Sequence, residues 1–479
     1  MTSHFYGRSH ELGLLNDLVQ KKTASLAVIK GRRRVGKSRL IEEFAKGHCF
    51  CKLEGLAPRK GTTAQTQREQ FSKQLTKYFN VPVKADDWWD LLWFLADKTK
   101  RGKTIILLDE ISWMGNLDPD FLGKLKAIWD NHFKKNPKLI LILCGSVSTW
   151  IDKNILSSTG FAGRLSLSLT LKELPLDVCN KFWGANAQKI SAYEKFKLLA
   201  VTGGIPRYLE EIKPKLSAEE NIRRMCFESS GILFKEFDQI FSNALMTEAK
   251  SYKQIALYLA ERGFADRKAI ASAAKLEIGG VISDYLENLV EAGFVARDYT
   301  WHIRNGNISK LSHYRLKDNY LRFYLKYILP NKAKIEKGIF EKKSITGLSG
   351  WDTIMGFQFE NLVISNHENI VKLIGLRAED VIFANPFFQK KTARQLGCQI
   401  DYLIQTKFNT IYVCEIKFSR FEITPTVIKE VSDKILKLKL PRYFSYRPVL
   451  IHVNGVREDV EDSEYFAEII DFSKILENG

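Results

Sequence analysis

The stretch that most constrains this chain is SLAVIKGRRRVGKSRLIEEFA, Ser25 to Ala45. An apolar run containing Leu26, Val28 and Ile29 leads into a basic loop, and Leu40, Ile41 and Phe44 then recur at helical spacing. Gly31, Gly36, Lys37 and Ser38 satisfy G-x-x-x-x-G-K-[ST]. The two glycines let the backbone turn tightly, so that several N–H groups and the N-terminus of the next helix face one anion. The spacing therefore predicts nucleotide contacts from Gly31 through Arg32, Arg33, Arg34, Val35, Gly36, Lys37 and Ser38 to Arg39. Lys37 is placed to reach the β- and γ-phosphates of ATP, and the Ser38 hydroxyl to ligate Mg²⁺. Such a strand, loop and helix point to an α/β fold with a parallel sheet.

A second strand answers the first. Thr104 to Glu110 reads TIILLDE, four apolar residues in a row and then two carboxylates. An unbroken apolar run marks a strand buried on both faces, and ligands of parallel sheets bind at the carboxyl ends of the strands. Asp109 is expected to hold the Mg²⁺ of Ser38 through water, and Glu110 to polarise the attacking water. Leu139 to Cys144 is a further buried strand ending in GSVS, Gly145 to Ser148, which puts Ser146 where a polar group would sense the γ-phosphate. Arg164 stands alone among small and apolar residues. An arginine finger, acting within the chain or across a subunit boundary in a homo-oligomer, and a plain surface cation are both open there.

Around these strands the pattern predicts an opening helix over Phe5 to Val19 capped by Ser9, an irregular basic stretch from Cys49 to Thr63, and helices over Gln65 to Phe79 and Trp88 to Lys98. Gly203, Gly204 and Pro206 break two helical patterns further on.

The set FYGR, GRRRVGKS, ILLDE, ILCGS, Gly163-Arg164 and TGGIPRYL resembles the archaeal-type ATPases of the AAA+ and STAND superfamily. That resemblance implies a five-stranded parallel ATPase core, a small helical lid and, within the lid, Pro206 near the adenine. The core is placed at 1–172 and the lid at 173–243.

With 479 residues the chain has room for roughly three domains. Lys and Arg number 73 against 55 Asp and Glu, a formal charge of +18 with pI near 9.4, which favours a polyanionic partner such as DNA. No run is long enough to span a bilayer and the opening residues carry no signal-type apolar segment, so a cytoplasmic protein without a membrane partner is expected. Seven cysteines without a C-x-x-C pair, and scattered histidines, argue against a zinc centre.

From Ala244 three short amphipathic segments precede two β-rich runs, around Phe294 to Ile303 and Lys310 to Arg315. That order predicts a winged helix-turn-helix over 244–330. Its recognition helix, Gly279 to Ala292, carries Asp284, Glu287 and Glu291 but no Lys or Arg, so Arg297, Arg304 and Lys310 of the ribbon are the better candidates for phosphates. Leu321 to Gly347 is Lys-rich and reads as a linker. An α/β domain over 331–479 follows.

In that last domain QIDYLI places Asp401, and IYVCEIKFS places Glu415 and Lys417, within apolar strands. Residues two apart on a strand share a face, and an antiparallel partner brings Asp401 beside them. Two carboxylates suit Mg²⁺ or Mn²⁺, Lys417 suits the orienting of a water, and Glu360 on a neighbouring helix suits a further ligand. The spacing resembles the PD-(D/E)xK nuclease superfamily, and the layout resembles the restriction-endonuclease-like domain found fused to archaeal-type ATPases. By that resemblance Asp401, Glu415 and Lys417 are the D, E and K, and Glu360 the helix acid. Two functions remain open: an ATPase whose nucleotide state gates a metal-dependent nuclease, and a regulatory ATP switch whose last domain is only a binding platform.

Overall fold

The computed structural model describes residues 4–59, 61–146, 149–237, 249–340, 344–393 and 395–477. It falls into two compact units, Met1–Leu174 and Pro175–Gly479.

In the first unit β1 (Ser25–Gly31), β2 (Cys49–Glu54), β3 (Thr104–Asp109), β4 (Leu139–Ser146) and β5 (Leu165–Leu171) form an all-parallel sheet in the order β2-β3-β4-β1-β5. Successive side chains leave a strand on opposite faces. Val28, Ile106, Leu108, Leu141 and Leu143 therefore pack with Phe71, Trp88, Leu91 and Phe121 on one side, while Ala27, Ile29, Leu107, Ile140 and Ile142 meet Leu15, Leu18, Leu40 and Ile41 on the other. Helices on both faces explain why β3 is buried at all six positions. Register aligns Gly31 with Ser146 and Glu54 with Asp109, so the ends of β1, β3 and β4 share one edge.

Two expectations change here. The first helix is Ser9–Gln20, preceded by Arg8 in a left-handed conformation (φ 66°), so Ser9 is helical and caps nothing. The stretch expected to be irregular contains β2. This is an outer strand of the sheet, and its half-exposed CFCKLE lacks the apolar run that betrays an inner strand.

The second unit opens with helices Leu176–Asn180, Ala192–Thr202, Pro206–Leu209 and Ala218–Cys226. Gly203 ends the second of these and Pro206 begins the third at its first position, which needs no N–H donor. The expected boundary at 243–244 lies outside the described residues, as do Val147 and Ser148. Helices Ala249–Ala260, Arg267–Ala274 and Gly280–Glu291 follow, with β6 (Ala265–Asp266), β7 (Val295–His302) and β8 (Asn307–Leu316) in an antiparallel sheet ordered β6-β8-β7.

The first part of the expected linker is core. Residues 319–328 are helical, with Tyr320, Leu321, Phe323, Tyr324, Tyr327 and Ile328 buried. Arg322 is itself buried, donating to the carbonyls of Leu316 (2.9 Å) and Arg262 (3.0 Å). Basic composition suggested solvent, but the cations here are spaced between aromatic rings that pack on Trp351: Phe323 at 5.9 Å and Tyr327 at 5.8 Å between centroids. A buried donor costs about 1–3 kcal/mol when unmade, so the carbonyls that receive Arg322 are part of the fold's stability.

The final sheet is mixed. β9 (Val381–Gln389), β10 (Cys398–Thr406) and β11 (Thr410–Ile416) run antiparallel in turn, then β12 (Ser445–His452) and the unanticipated β13 (Glu468–Asp471) continue parallel to β11. Helix Thr426–Lys437 covers one face through Val427, Val431 and Ile435. Helix Trp351–Ser365 brings Phe359 against Phe196 of the opening helices and Phe472 near the end of the chain. Asn361 and Gln358 on that helix bond to the backbone of Leu316 and Asn319, tying β8 to it.

Candidate functional site

At the carboxyl edge of the first sheet, β1 ends in Gly31, where an added Cβ would stand 2.6 Å from the Leu171 carbonyl of β5. Glycine is required there by close approach. Gly36, at φ 93°, is the left-handed residue from which helix Lys37–Phe44 starts. Lys37 is buried and its ammonium donates to the carbonyls of Gly31 (3.0 Å) and Arg32 (3.2 Å). Among the described residues no carboxylate lies within ion-pair distance of it. A buried cation left without a counter-charge is costly by several kcal/mol, so this loop is built for an anion brought from outside.

Beside it Ser38 Oγ donates to Asp109 Oδ2 at 2.6 Å. Glu110 follows in a left-handed conformation (φ 52°), which turns its carboxylate toward Ser146, whose hydroxyl lies 3.3 Å and backbone N–H 3.4 Å from it. Burial raises the Glu110 carboxyl above its ordinary range; Lys37 and the Ser146 hydrogen bonds pull the other way, and Asp109 adds to the rise. Lys37, Ser38, Asp109, Glu110 and Ser146 thus share one edge, and the donor set fits a magnesium nucleotide.

Two contributors were not anticipated. Arg8 donates to the Val35 carbonyl (3.2 Å) and the Lys172 carbonyl (2.6 Å), fastening the back of the loop to the end of β5. Lys52 on β2 stands 3.7 Å from Asp109 Oδ2 and 3.1 Å from Glu42. Nothing in the spacing of FYGR or CFCKLE signals either contact.

Of the two readings open for Arg164, its placement within the chain matches the plain cation. It precedes β5, whose Leu165 aligns with the start of β1, so it lies at the amino edge of the sheet, opposite the loop. Its guanidinium grips Asp130, with contacts of 2.8 to 3.2 Å. Within the chain it does not reach the phosphate site. Pro206 belongs to the second unit, at the start of helix Pro206–Leu209.

The second constellation also assembles, with a difference. Asp401 and Glu415 meet across β10 and β11, as the antiparallel register requires. Lys417 Nζ lies 3.0 Å from Glu415 Oε1 and 2.7 Å from Glu430. But Lys434, from helix Thr426–Lys437, bridges the two acids, reaching Asp401 Oδ1 at 3.1 Å and Glu415 Oε2. Asp401 Oδ2 accepts from the Ile416 N–H at 3.1 Å. All four carboxylate oxygens have a donor. Burial works against the Lys434 ammonium, yet Asp401 and Glu415 outweigh it and hold its pKa above the ordinary lysine value. Burial raises Glu415, with Asp401 adding to it, and burial pushes Glu360 up to about 8, with Asp401 adding and Arg322, Arg315 and Lys434 opposing. Among the described residues no group of three or more His, Cys, Asp and Glu is set to hold a metal. As placed, Lys434 takes the Asp401 and Glu415 oxygens that a divalent cation would need.

Residues 5–212 match the family described as "ATPase domain predominantly from Archaea". A protein of Methanocaldococcus jannaschii described as uncharacterised is 27% identical over 371 residues, 75% of this chain and 76% of its own. Among solved structures, the Walker-type ATPase of Pyrococcus abyssi aligns with TM-score 0.49 at 16% identity, over 67% of this chain and 96% of that one. The ORC2 protein of Aeropyrum pernix aligns with TM-score 0.46 at 13% identity, over 70% and 97%. No described helix is long and apolar enough to cross a membrane.

Proposed function

We propose that this chain is an ATP-hydrolysing switch whose nucleotide state governs its hold on DNA. The observation that carries the reading is the buried Lys37 ammonium, with no carboxylate in ion-pair distance among the described residues, beside the 2.6 Å contact of Ser38 with Asp109. In this reading Lys37 binds the β- and γ-phosphates, and Ser38 and Asp109 hold Mg²⁺. The metal, when bound, neutralises charge that develops on the phosphates. Glu110 orients the attacking water and accepts its proton, a role helped by a carboxyl held above its ordinary range. Ser146 holds that carboxylate in place and senses the γ-phosphate.

The segment 244–330 is read as a winged helix-turn-helix, and the excess of positive charge supports a nucleic-acid partner. The domain at 331–479 is read as a binding platform of nuclease-like form. The rival, a metal-dependent nuclease gated by ATP, is favoured by the meeting of Asp401, Glu415 and Lys417 and opposed by Lys434.

The test is titration of a fluorescent ATP analogue alongside phosphate release. Wild-type protein is expected to bind and hydrolyse, and Lys37→Ala to lose both. Unchanged affinity in that variant would sink the assignment.

A further inference from the structure

At the end of the last sheet remote from Glu415, the turn between β10 and β11 raises Phe408 to 65% exposure. β12 starts alongside: the Ser445 N–H bonds the Asn409 carbonyl at 2.9 Å, and Tyr446 pairs in register with Ile411. Tyr443 and Tyr446, which flank this contact, are 55% and 51% exposed. The Tyr443 hydroxyl donates to the Arg304 carbonyl at 3.4 Å, which joins this tip to the turn between β7 and β8. Three large rings are therefore held at the surface by ordered backbone rather than folded inward.

The charge along the β12 side of this tip is mainly positive. Between Lys434 and Arg457 there is no Asp or Glu, while Lys437, Lys439, Arg442 and Arg447 are all exposed. Among the described residues neither Arg442 nor Arg447 has a carboxylate within ion-pair distance. Arg304 adds a further exposed cation from the ribbon turn, and Lys407 lies 5.3 Å from the Phe408 ring while pairing with Asp380. Toward β13 the basic face ends at Glu468, which aligns with Val449. The carboxylates of Asp401 and Glu415 do not interfere: Glu415 is five residues along β11 from Thr410, about 16 Å at strand rise.

We propose that this tip, Phe408, Tyr443 and Tyr446 with Arg442 and Arg304, is a docking surface for single-stranded nucleic acid. Exposed rings interleaved with unpaired guanidinium groups match a strand whose base faces are open to stacking and whose phosphates are charged. A duplex hides its base faces and gives the rings nothing to stack on. The acidic Gly280–Glu291 helix plays no part in it, which accounts for a basic protein whose expected recognition helix has no cation. The proposal rests on the DNA reading above only for the class of partner.

Fluorescence anisotropy of the full chain with a labelled oligonucleotide of about 20 nucleotides tests it, as single-stranded DNA, as RNA of the same sequence and as duplex. Single strands are expected to bind more tightly than duplex, and the DNA and RNA arms identify which is preferred. Tyr443→Ala and Tyr446→Ala are each expected to weaken binding about tenfold, with Tyr443→Phe retaining it because the ring is kept. Arg442→Gln and Arg304→Gln are each expected to lower the log–log salt slope by about one. An unchanged thermal transition in each variant verifies folding. Wild-type binding that these variants leave intact overturns the surface while sparing the DNA reading; no binding at all overturns both. Preference for duplex, or equal competition by polyglutamate, also overturns the surface.

Discussion

Lys434 Nζ lies 3.1 Å from Asp401 Oδ1 and reaches on to the buried Glu415, so one ammonium sits where the two carboxylates would otherwise hold a divalent cation. Removing one partner from a buried ion pair costs about 3–5 kcal/mol, because the remaining charge is stranded. That cost decides what a substitution does. Lys434→Ala is expected to destabilise the protein and to gain Mn²⁺ binding, with Mn²⁺ raising the thermal transition of the variant and leaving wild type unmoved. Calorimetry with Mn²⁺ and a DNA-nicking assay check this together. Tight Mn²⁺ binding by wild type that Asp401→Ala abolishes restores the nuclease reading.

Glu110 is expected to separate binding from chemistry. Its carboxylate faces Ser146 and makes no contact with the loop carbonyls that hold Lys37. Glu110→Gln keeps the shape and removes the base, so ATP affinity persists while turnover falls by about two to four orders of magnitude. Equal loss of both would place Glu110 in the binding of the nucleotide instead.

Glu360 sets a pH dependence. Its carboxyl is pushed up to about 8 from 4.5, so between those values the folded protein retains a proton that the unfolded chain has released. The native state then binds more protons, and stability declines as pH rises from about 4.5 to about 8, levelling off above. Glu360→Gln removes the titration. Relative to wild type it should gain stability progressively across that window, read as thermal transitions at fixed ionic strength from pH 5 to 9. Parallel curves for the two proteins would refute the shift.

Arg164 is expected to be dispensable for turnover by the single chain. It pairs with Asp130 at the sheet edge away from the phosphate loop. Arg164→Ala should leave phosphate release unchanged at low protein concentration. A loss that grows with concentration would reveal a role across a subunit boundary.

The phosphate site was legible because its parts are local: a glycine-bounded loop between two periodic segments, and a strand so apolar that its two terminal carboxylates stand out. β2 was not, since CFCKLE lies at a sheet edge and carries Lys52 and Glu54 among its six residues. β13 has only four residues, too few for a period. Asp401, Glu415 and Lys417 could be placed on facing strands from alternation alone. The bridging Lys434 could not, for it arrives from a helix 19 residues beyond Glu415 and its spacing carries no signature. Asp130 and Arg164 are 34 apart for the same reason. The stretch at 319–328 is opaque in sequence because lysine and arginine ordinarily seek solvent, whereas Arg322 is buried and donates to the carbonyls of Leu316 and Arg262.

That buried stretch bears on how the second unit can be handled. Phe323 and Tyr327 rest on Trp351, and Phe359 rests on Phe196 and Phe472, so rings from its beginning, middle and end share one interior. A fragment started at residue 331 would strip Trp351 of Phe323 and Tyr327 and Phe359 of Phe196, and is expected to aggregate rather than fold. Pro175–Gly479 should instead melt in one cooperative step, and protease that nicks the chain near Pro330 should do so only after that step.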